Sequence, residues 1–539
     1  MDLRGKRGLL IDDVADMRSA MRIQLSDLGM DQCDMARNVK EAIEHMSQCR
    51  YDLIVCDYNL GQGADGQQLL ELVRRRNLLP RSAVFLMVTG EAGYEKVATA
   101  AEYAPDDYLI KPFTADKLRT RIERILEKKA ALQPIHRWMS EKGDRAKALA
   151  ACDKLLAAGG RHGLDAMRLK GELLLQEGKA AEAQALYESV LQQRATPWAV
   201  VGLARAELAT GNDAQARQLF ESALETYPSY LAAYDSLAEM LAKTDKAAAQ
   251  EVVEQALKVA PSTQRTRALG SLALENKDYE RAESAFKRVV EKDRSGFFKS
   301  HDDYSILAKT FVEQGKTGEA LATVKDMGNA FSRTPALEAR QAAVEAQVHA
   351  KSGNASAAQA ALERALTVGQ GAQLDLATSL EVAQACFAGG RTEDAKTIIQ
   401  AIAEDHHENE AAIAKAQAVF AAAGLKDEGT VFLEATRKRM IKLNNDAVGM
   451  AKAGKLDEAI AMLTEAADRL TNNAQIALNA ALALLMHVHR HAPPELAKVT
   501  QAHRYILQAR QARADHPKLP EVVGFYRKIA PPDAPPLEA

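Results

Sequence analysis

Three acids, a threonine and a lysine in the first part of this chain have the types and spacing to do chemistry together: Asp12-Asp13, Asp57, Thr89 and Lys111. Three carboxylates held close together repel one another, and the repulsion is relieved by protonation or by a bound cation. Carboxylates are hard oxygen ligands suited to Mg2+, which keeps open positions where phosphoryl oxygens can bind. A carboxylate in such a site can attack phosphorus, and an ammonium can pair with the phosphoryl group that results. A hydroxyl and an amide, here those of Thr89 and Gly90, can bond the remaining oxygens. The chemistry these residues suit is phosphoryl transfer to Asp57, provided that the fold gathers them at one place.

The elements that must do the gathering are five short apolar runs closed by turn-forming residues, among them GLLID, DLIVCD, SAVFLMV and DDYLI. Each reads as a buried strand. Five such runs alternating with amphipathic segments predict an α/β domain, a five-stranded parallel sheet with helices on both faces. The first strand ends at Asp12-Asp13, the third at Asp57 and the fourth at Thr89-Gly90, while the fifth leads from Tyr108 to Lys111-Pro112. In a sheet of right-handed crossovers the carboxyl ends of the strands share one edge, where such folds place their ligands.

With those residues in place, 1–128 resemble the CheY-like receiver domain of two-component response regulators, a flavodoxin-like fold. The resemblance is carried by the acid pair in LLIDD, Asp57 in DLIVCDYNL, Thr89 in FLMVTG, Tyr108 in DDYLI and the KPF of Lys111 to Phe113. It implies that Asp57 is the phosphoacceptor, taking phosphate from a kinase phosphohistidine. It further implies that Asp13, Asp57 and the Asn59 carbonyl ligate Mg2+, with Asp12 acting mainly through water. Thr89, Gly90, Tyr108 and Lys111 then bind or report the phosphoryl group. If Thr89 is drawn inward, the Tyr108 ring can turn into the space released, altering the surface made by the fourth helix, the fifth strand and the fifth helix near 114–128. The loop YNLGQGADG departs from the family, many of whose members carry a Met-Pro pair after the acceptor.

The strand-like runs stop near Pro134, and the remainder is alanine-rich helix-forming sequence such as AEAQALYESVL. Within it a pattern recurs: a turn residue, a small residue about five positions on, and a larger one about four after that. Gly178/Ala183/Tyr187 and Gly211/Ala216/Phe220 are 33 residues apart, and Ala249/Val253 and Ala282/Phe286 continue at that step. Later copies drift: Gly315/Ala320/Val324, Gly353/Ala358/Leu362, Gly390/Ala395/Ile399, Gly424/Gly429/Leu433 and Gly454/Ala459/Leu463. A small residue lets two antiparallel helices approach, and a large one fills the gap to the next pair. This is similar to tetratricopeptide repeats, whose period is about 34 residues. Pro228 and Pro261, after second helices, fit that family, whereas Trp198 does not fall cleanly in register. The expected organisation is a receiver at 1–128, a linker or connecting helix at 129–142, an all-α superhelix of tetratricopeptide-like repeats at 143–525, and a disordered tail at 526–539.

Composition narrows the function. A formal net charge of -3 gives no reason to expect nucleic-acid or membrane binding, and Arg74-Arg75-Arg76 read as the favourably charged end of a helix. Five cysteines, scattered and without a CxxC pair, argue against disulfides or a zinc site. No segment approaches the roughly 20 apolar residues of a membrane span, and the amino terminus lacks a signal-peptide pattern, so a cytoplasmic protein is expected. In HVHRHAPP, His487 and His491 lie one helical turn apart and suit a transition metal, but no third ligand is fixed; His489 and His503 lie nearby.

The remainder shows no nucleophile-base pair, phosphate-cradling glycine loop or helix-turn-helix signal. The expected function is a response regulator in a histidine-kinase phosphorelay, with a protein or peptide partner on the repeats as output and homodimerisation allowed. Enzyme activity is not expected beyond the receiver's own phosphorylation and dephosphorylation. One alternative is a phosphate sink or kinase inhibitor that holds its kinase through the repeats. Another is an enzyme hidden in the carboxyl-terminal helices.

Overall fold

Alternating apolar side chains build the first domain. In the computed structural model, which describes residues 3–61, 64–76, 78–80, 82–90, 105–139, 144–292, 299–370, 372–491 and 495–537, five parallel strands pair in the order β2-β1-β3-β4-β5. They are β1 (Arg7–Ile11), β2 (Gln32–Ala36), β3 (Leu53–Asp57), β4 (Val84–Thr89) and β5 (Asp107–Ile110). Helices α1 (Ala15–Asp27), α2 (Val39–Gln48), α3 (Gly66–Arg75) and α4 (Ala115–Trp138) cover the two faces. Period-two alternation sends Leu9, Ile11, Ile54, Cys56, Phe85 and Met87 into a core with α2 and α3. Their neighbours Leu10, Val55, Leu86, Val88 and Leu109 enter a second core with Met21 and Leu25 of α1 and Leu118, Ile122 and Ile125 of α4. Burial on both faces is why these strands read as continuous apolar runs. The helix expected between the fourth and fifth strands falls on 91–104, outside the described residues.

By contacts the chain divides into two compact units, Met1–Asp303 and Tyr304–Ala539. In the first, α4 corrects the expected boundary. The connecting segment 129–142 is not a separate element up to Trp138; it is the second half of the helix that begins at Ala115, and Pro134 lies inside that helix. Beyond it come α5 (Arg145–Ala158), α6 (Gly163–Gln176), α7 (Ala180–Gln193) and α8 (Pro197–Ala209), and antiparallel pairs continue.

The small-residue register holds. Ala183, Ala216, Ala249, Ala282, Ala320, Ala395 and Ala459 are fully buried, as are Phe220, Leu362 and Ile399 among their large partners. The turn glycines 178, 211, 315, 353, 390, 424 and 454 all take positive φ, which only glycine adopts freely. Lys277, five residues before Ala282, stands where such a glycine would be, with φ 61°. Tyr187 is wedged between two further glycines: a Cβ on Gly171 or Gly202 would lie 2.4 Å from its ring. Trp198, at the start of α8, meets Tyr187 edge-on at 6.2 Å between centroids.

In the second unit the drift in spacing has a structural counterpart, a continuous 27-residue helix Lys426–Lys452. The carboxyl end also departs from expectation. Residues 526–529 belong to the helix Leu519–Ile529, the Tyr526 hydroxyl donates to Pro535 O at 2.8 Å, and Leu537 is buried in the terminal core. The segment expected to be disordered is therefore packed as far as Leu537, because prolines that cannot extend a helix still offer carbonyls and apolar surface. Among the described residues no helix is long and apolar enough to cross a membrane.

Candidate functional site

Strand register places the acids. Ile11 pairs with Cys56, so Asp12 follows β1 opposite Asp57 at the end of β3. Asp57 pairs with Val88, and Thr89 pairs with Ile110, so Thr89 and Lys111 stand at the same edge. The Lys111 amide donates to Thr89 O at 2.7 Å, and Tyr58 N donates to Val88 O at 2.8 Å, extending the sheet hydrogen bonds to the rim of the site.

Ligating oxygens of Asp12, Asp13 and Asp57 lie within 4.8 Å of one another, the single such group of three among the described residues. Asp12 and Asp57 are buried, with Asp12 at 0% exposure, and Asp13 is exposed. Lys111 Nζ bridges the two buried acids, 3.0 Å from Asp12 Oδ2 and 3.2 Å from Asp57 Oδ1. Asp12 Oδ1 accepts Val14 N at 2.8 Å, and its backbone carbonyl takes Arg18 Nη1 at 2.5 Å. Each buried oxygen of Asp12 thus has a donor, while Asp13 faces solvent.

Burial pushes the Asp57 carboxyl above its ordinary value; the Lys111 ammonium opposes this and Asp12 reinforces it. Burial alone would lower Lys111, but its bonds to Asp12 and Asp57 prevail and raise it. The pair is therefore a fixed cation beside a carboxylate that lacks full solvation. A pocket of three carboxylates, two of them shielded from water and one open, fits a hard divalent cation better than a soft one.

The other expected residues lie around this centre. Thr89 is buried at the end of β4, and Gly90 beyond it is exposed, with no atom of the described residues within 4 Å of where a Cβ would stand. Asn59 is exposed two residues past β3, where its Oδ1 accepts Gly61 N at 3.2 Å. Gly61 has φ +73°, and a Cβ there would come 3.0 Å from Asp13 Oδ2. Gln62 and Gly63 of the same loop fall outside the described residues. Tyr108 is 3% exposed, its ring already turned inward; its hydroxyl is buried without a hydrogen-bond partner among the described residues.

One residue of the site escaped the sequence reading. Gly66 opens α3 so close to the acceptor strand that a Cβ would lie 2.3 Å from Asp57 O. The signal was present: Asp65 and Gln68 form a capping box that fixes where α3 begins.

The histidine cluster is not a comparable site. His487 Nδ1 lies 2.9 Å from Asp457 Oδ1 and Nε2 3.4 Å from Glu495 Oε1, so both ring nitrogens face carboxylates. His491 stacks on the His487 ring at 4.3 Å and turns its Nδ1 to the His487 carbonyl, so the two rings do not converge on one point. His489 and His503 pack against Phe525 and Tyr526. Arg74 of the basic run pairs with Asp106 at 3.9 Å.

Comparison with known proteins agrees with this geometry. Residues 9–123 match the response regulator receiver domain, and 140–197, 174–243 and 241–296 match tetratricopeptide repeat models. Over 120 residues, 22% of this chain, the sequence is 35% identical to the chemotaxis protein CheY of Pseudomonas aeruginosa, covering 95% of that protein. It is 32% identical to the chemotaxis protein CheY-3 of Vibrio cholerae, covering 91% of it. Among solved structures, the C-terminal part of a TPR repeat-containing protein from Cytophaga hutchinsonii aligns with 46% of this chain and 96% of its own, at 16% identity and a TM-score of 0.37. By its amino-terminal domain the chain belongs to the response regulator receiver family, and tetratricopeptide repeats follow that domain.

Proposed function

We propose that this protein is a phosphorylation-controlled response regulator of a histidine-kinase phosphorelay whose output is protein binding by its repeats rather than DNA binding. The observation that carries this reading is the bridge of Lys111 between Asp12 and Asp57, beside the open carboxylate of Asp13. In it, Asp57 is the phosphoacceptor; Asp13, Asp57 and the Asn59 carbonyl hold Mg2+, and Asp12 acts on it through water. The cation, when bound, offsets negative charge on the phosphoryl oxygens. Lys111 then exchanges its contact with Asp57 for one with the new phosphoryl group, and Thr89 and Gly90 bond the remaining oxygens.

A sensor kinase or phosphotransfer protein supplies phosphate, a cytoplasmic protein or peptide partner reads the result, and no further enzyme activity is assigned. The test captures partners on wild-type protein loaded with beryllofluoride and on Asp57→Asn, then titrates the major partner against both. Tighter binding to one state by a protein that is not a histidine kinase supports the regulator. A histidine kinase held equally by both, as the sole partner, would replace it with the phosphate sink.

A further inference from the structure

Between the receiver match, which ends at 123, and the repeat match, which begins at 140, lies a stretch of α4 that neither family accounts for. Its contacts run both ways. On the receiver side Leu118, Ile122 and Ile125 enter the sheet core. A turn later Lys129, with 14% of its side chain exposed, reaches under the sheet: Nζ lies 2.9 Å from Asp106 Oδ1 and donates to Ala83 O at 2.6 Å. Asp106 is itself fixed, its Oδ2 accepting Phe85 N at 2.7 Å while Arg74 of α3 approaches at 3.9 Å.

On the repeat side Leu132 and Ile135 pack with Ala148 and Cys152 of α5 and Ala166 and Leu173 of α6. Ion pairs add to this, Lys128 with Asp165 at 2.6 Å and Glu127 with Arg161. A proline within a helix is a natural place for a bend, since it removes one backbone hydrogen bond. Here Pro134 sits between Leu132 and Ile135, 5% and 0% exposed, so packing immobilises the helix on both sides of it.

We propose that α4 is a rigid strut shared by the two domains, locked to the receiver by Lys129 on Asp106, so that the receiver and the first repeat helices keep one fixed arrangement throughout the phosphorylation cycle. Phosphorylation then acts by changing the receiver surface or its self-association, and a partner meets receiver and repeats at constant spacing. This inference uses the proposed receiver function only to define the two states compared.

Pulsed electron paramagnetic resonance on the full chain tests it. Spin labels go at Ser47→Cys in α2 and Glu188→Cys in α7, both exposed positions, with Cys33 and Cys49 replaced by serine. Fluorine NMR of the same sample shows whether beryllofluoride is bound. The expected result is one narrow distance distribution, unchanged when the mimic binds with Mg2+. A shifted or bimodal distribution with the mimic bound overturns the strut. Failure of the mimic to bind instead removes the receiver function, and the distribution without mimic still tests rigidity: narrow supports the strut and broad overturns it. Lys129→Met, or Asp106→Asn should the first variant misfold, is expected to broaden the distribution; wild-type width in a folded variant overturns the role given to Lys129.

Discussion

Lys111 Nζ stands 3.2 Å from Asp57 Oδ1 and, together with the Tyr58 amide, favours the charged form of this buried carboxylate. Burial and Asp12 both raise the Asp57 carboxyl, and Lys111 opposes them. An attacking carboxylate must be ionised. Lys111→Ala is therefore expected to accept phosphate still, but with the acid limb of its pH-rate profile moved to higher pH. Phosphorylation rates measured across pH with a small phosphodonor check this, and an unmoved limb would show that Lys111 does not tune Asp57.

The repeat register makes a steric prediction. Gly171 and Gly202 leave no room for a Cβ beside Tyr187, and Ala216 is fully buried. Gly202→Ala or Ala216→Leu should overpack a helix pair and cost roughly 1–3 kcal/mol. Urea unfolding followed by circular dichroism would reveal it, and wild-type midpoints in both variants would contradict the register.

At Lys277 the backbone itself is unfavourable, because a residue with a side chain is held at φ 61° in a turn where seven other copies use glycine. Left-handed backbone costs a non-glycine residue about 1–2 kcal/mol. Lys277→Gly should therefore raise stability, less the extra chain entropy of glycine in the unfolded state. A lower thermal midpoint for the variant would count against the turn geometry.

Acid should weaken the second unit. His407 and His516 are buried, and burial lowers both below the ordinary value of 6.5. Glu408 opposes the shift at both, Arg437 adds to it at His407, and at His516 Arg513 and Lys518 add to it while Asp515 opposes it. Asn473 Nδ2 stands 2.9 Å from His407 Nδ1, while its Oδ1 is held by Ile476 N; that amide orientation makes Nδ1 the acceptor. As pH falls through 6.5 the unfolded chain binds protons first, so stability drops from there down to the folded values. Urea midpoints between pH 7.5 and 5.5 should fall for wild type and fall less steeply for His407→Gln; equal slopes would remove His407 from the account.

The site was legible because its residues follow buried apolar runs, and strand ends are where parallel sheets expose polar groups. Strand β2 was harder to see. As an edge strand it buries only Ala36 of its residues QCDMA, and its Asp34 is spent on Arg7 Nε at 3.0 Å and the Tyr51 hydroxyl at 2.7 Å. That the connecting helix is one with the last receiver helix was hidden for a different reason: Pro134 looks like a boundary, and only tertiary packing of Leu132 and Ile135 shows that the helix continues through it. Likewise Gly171 and Gly202 carry no sign in sequence that Tyr187 will lie against them, since that contact is set by the angle between helices.

The central claim is that Asp57 accepts phosphate with the help of a cation held by its neighbours. Intact-mass measurement after incubation with acetyl phosphate and Mg2+ tests it most directly, with Asp57→Asn and a chelator-treated sample run alongside. The account predicts one added phosphoryl group on wild type, stable to acid and lost in base, and none on Asp57→Asn or without the cation. Equal labelling of Asp57→Asn, or full labelling of wild type in excess chelator, would contradict it.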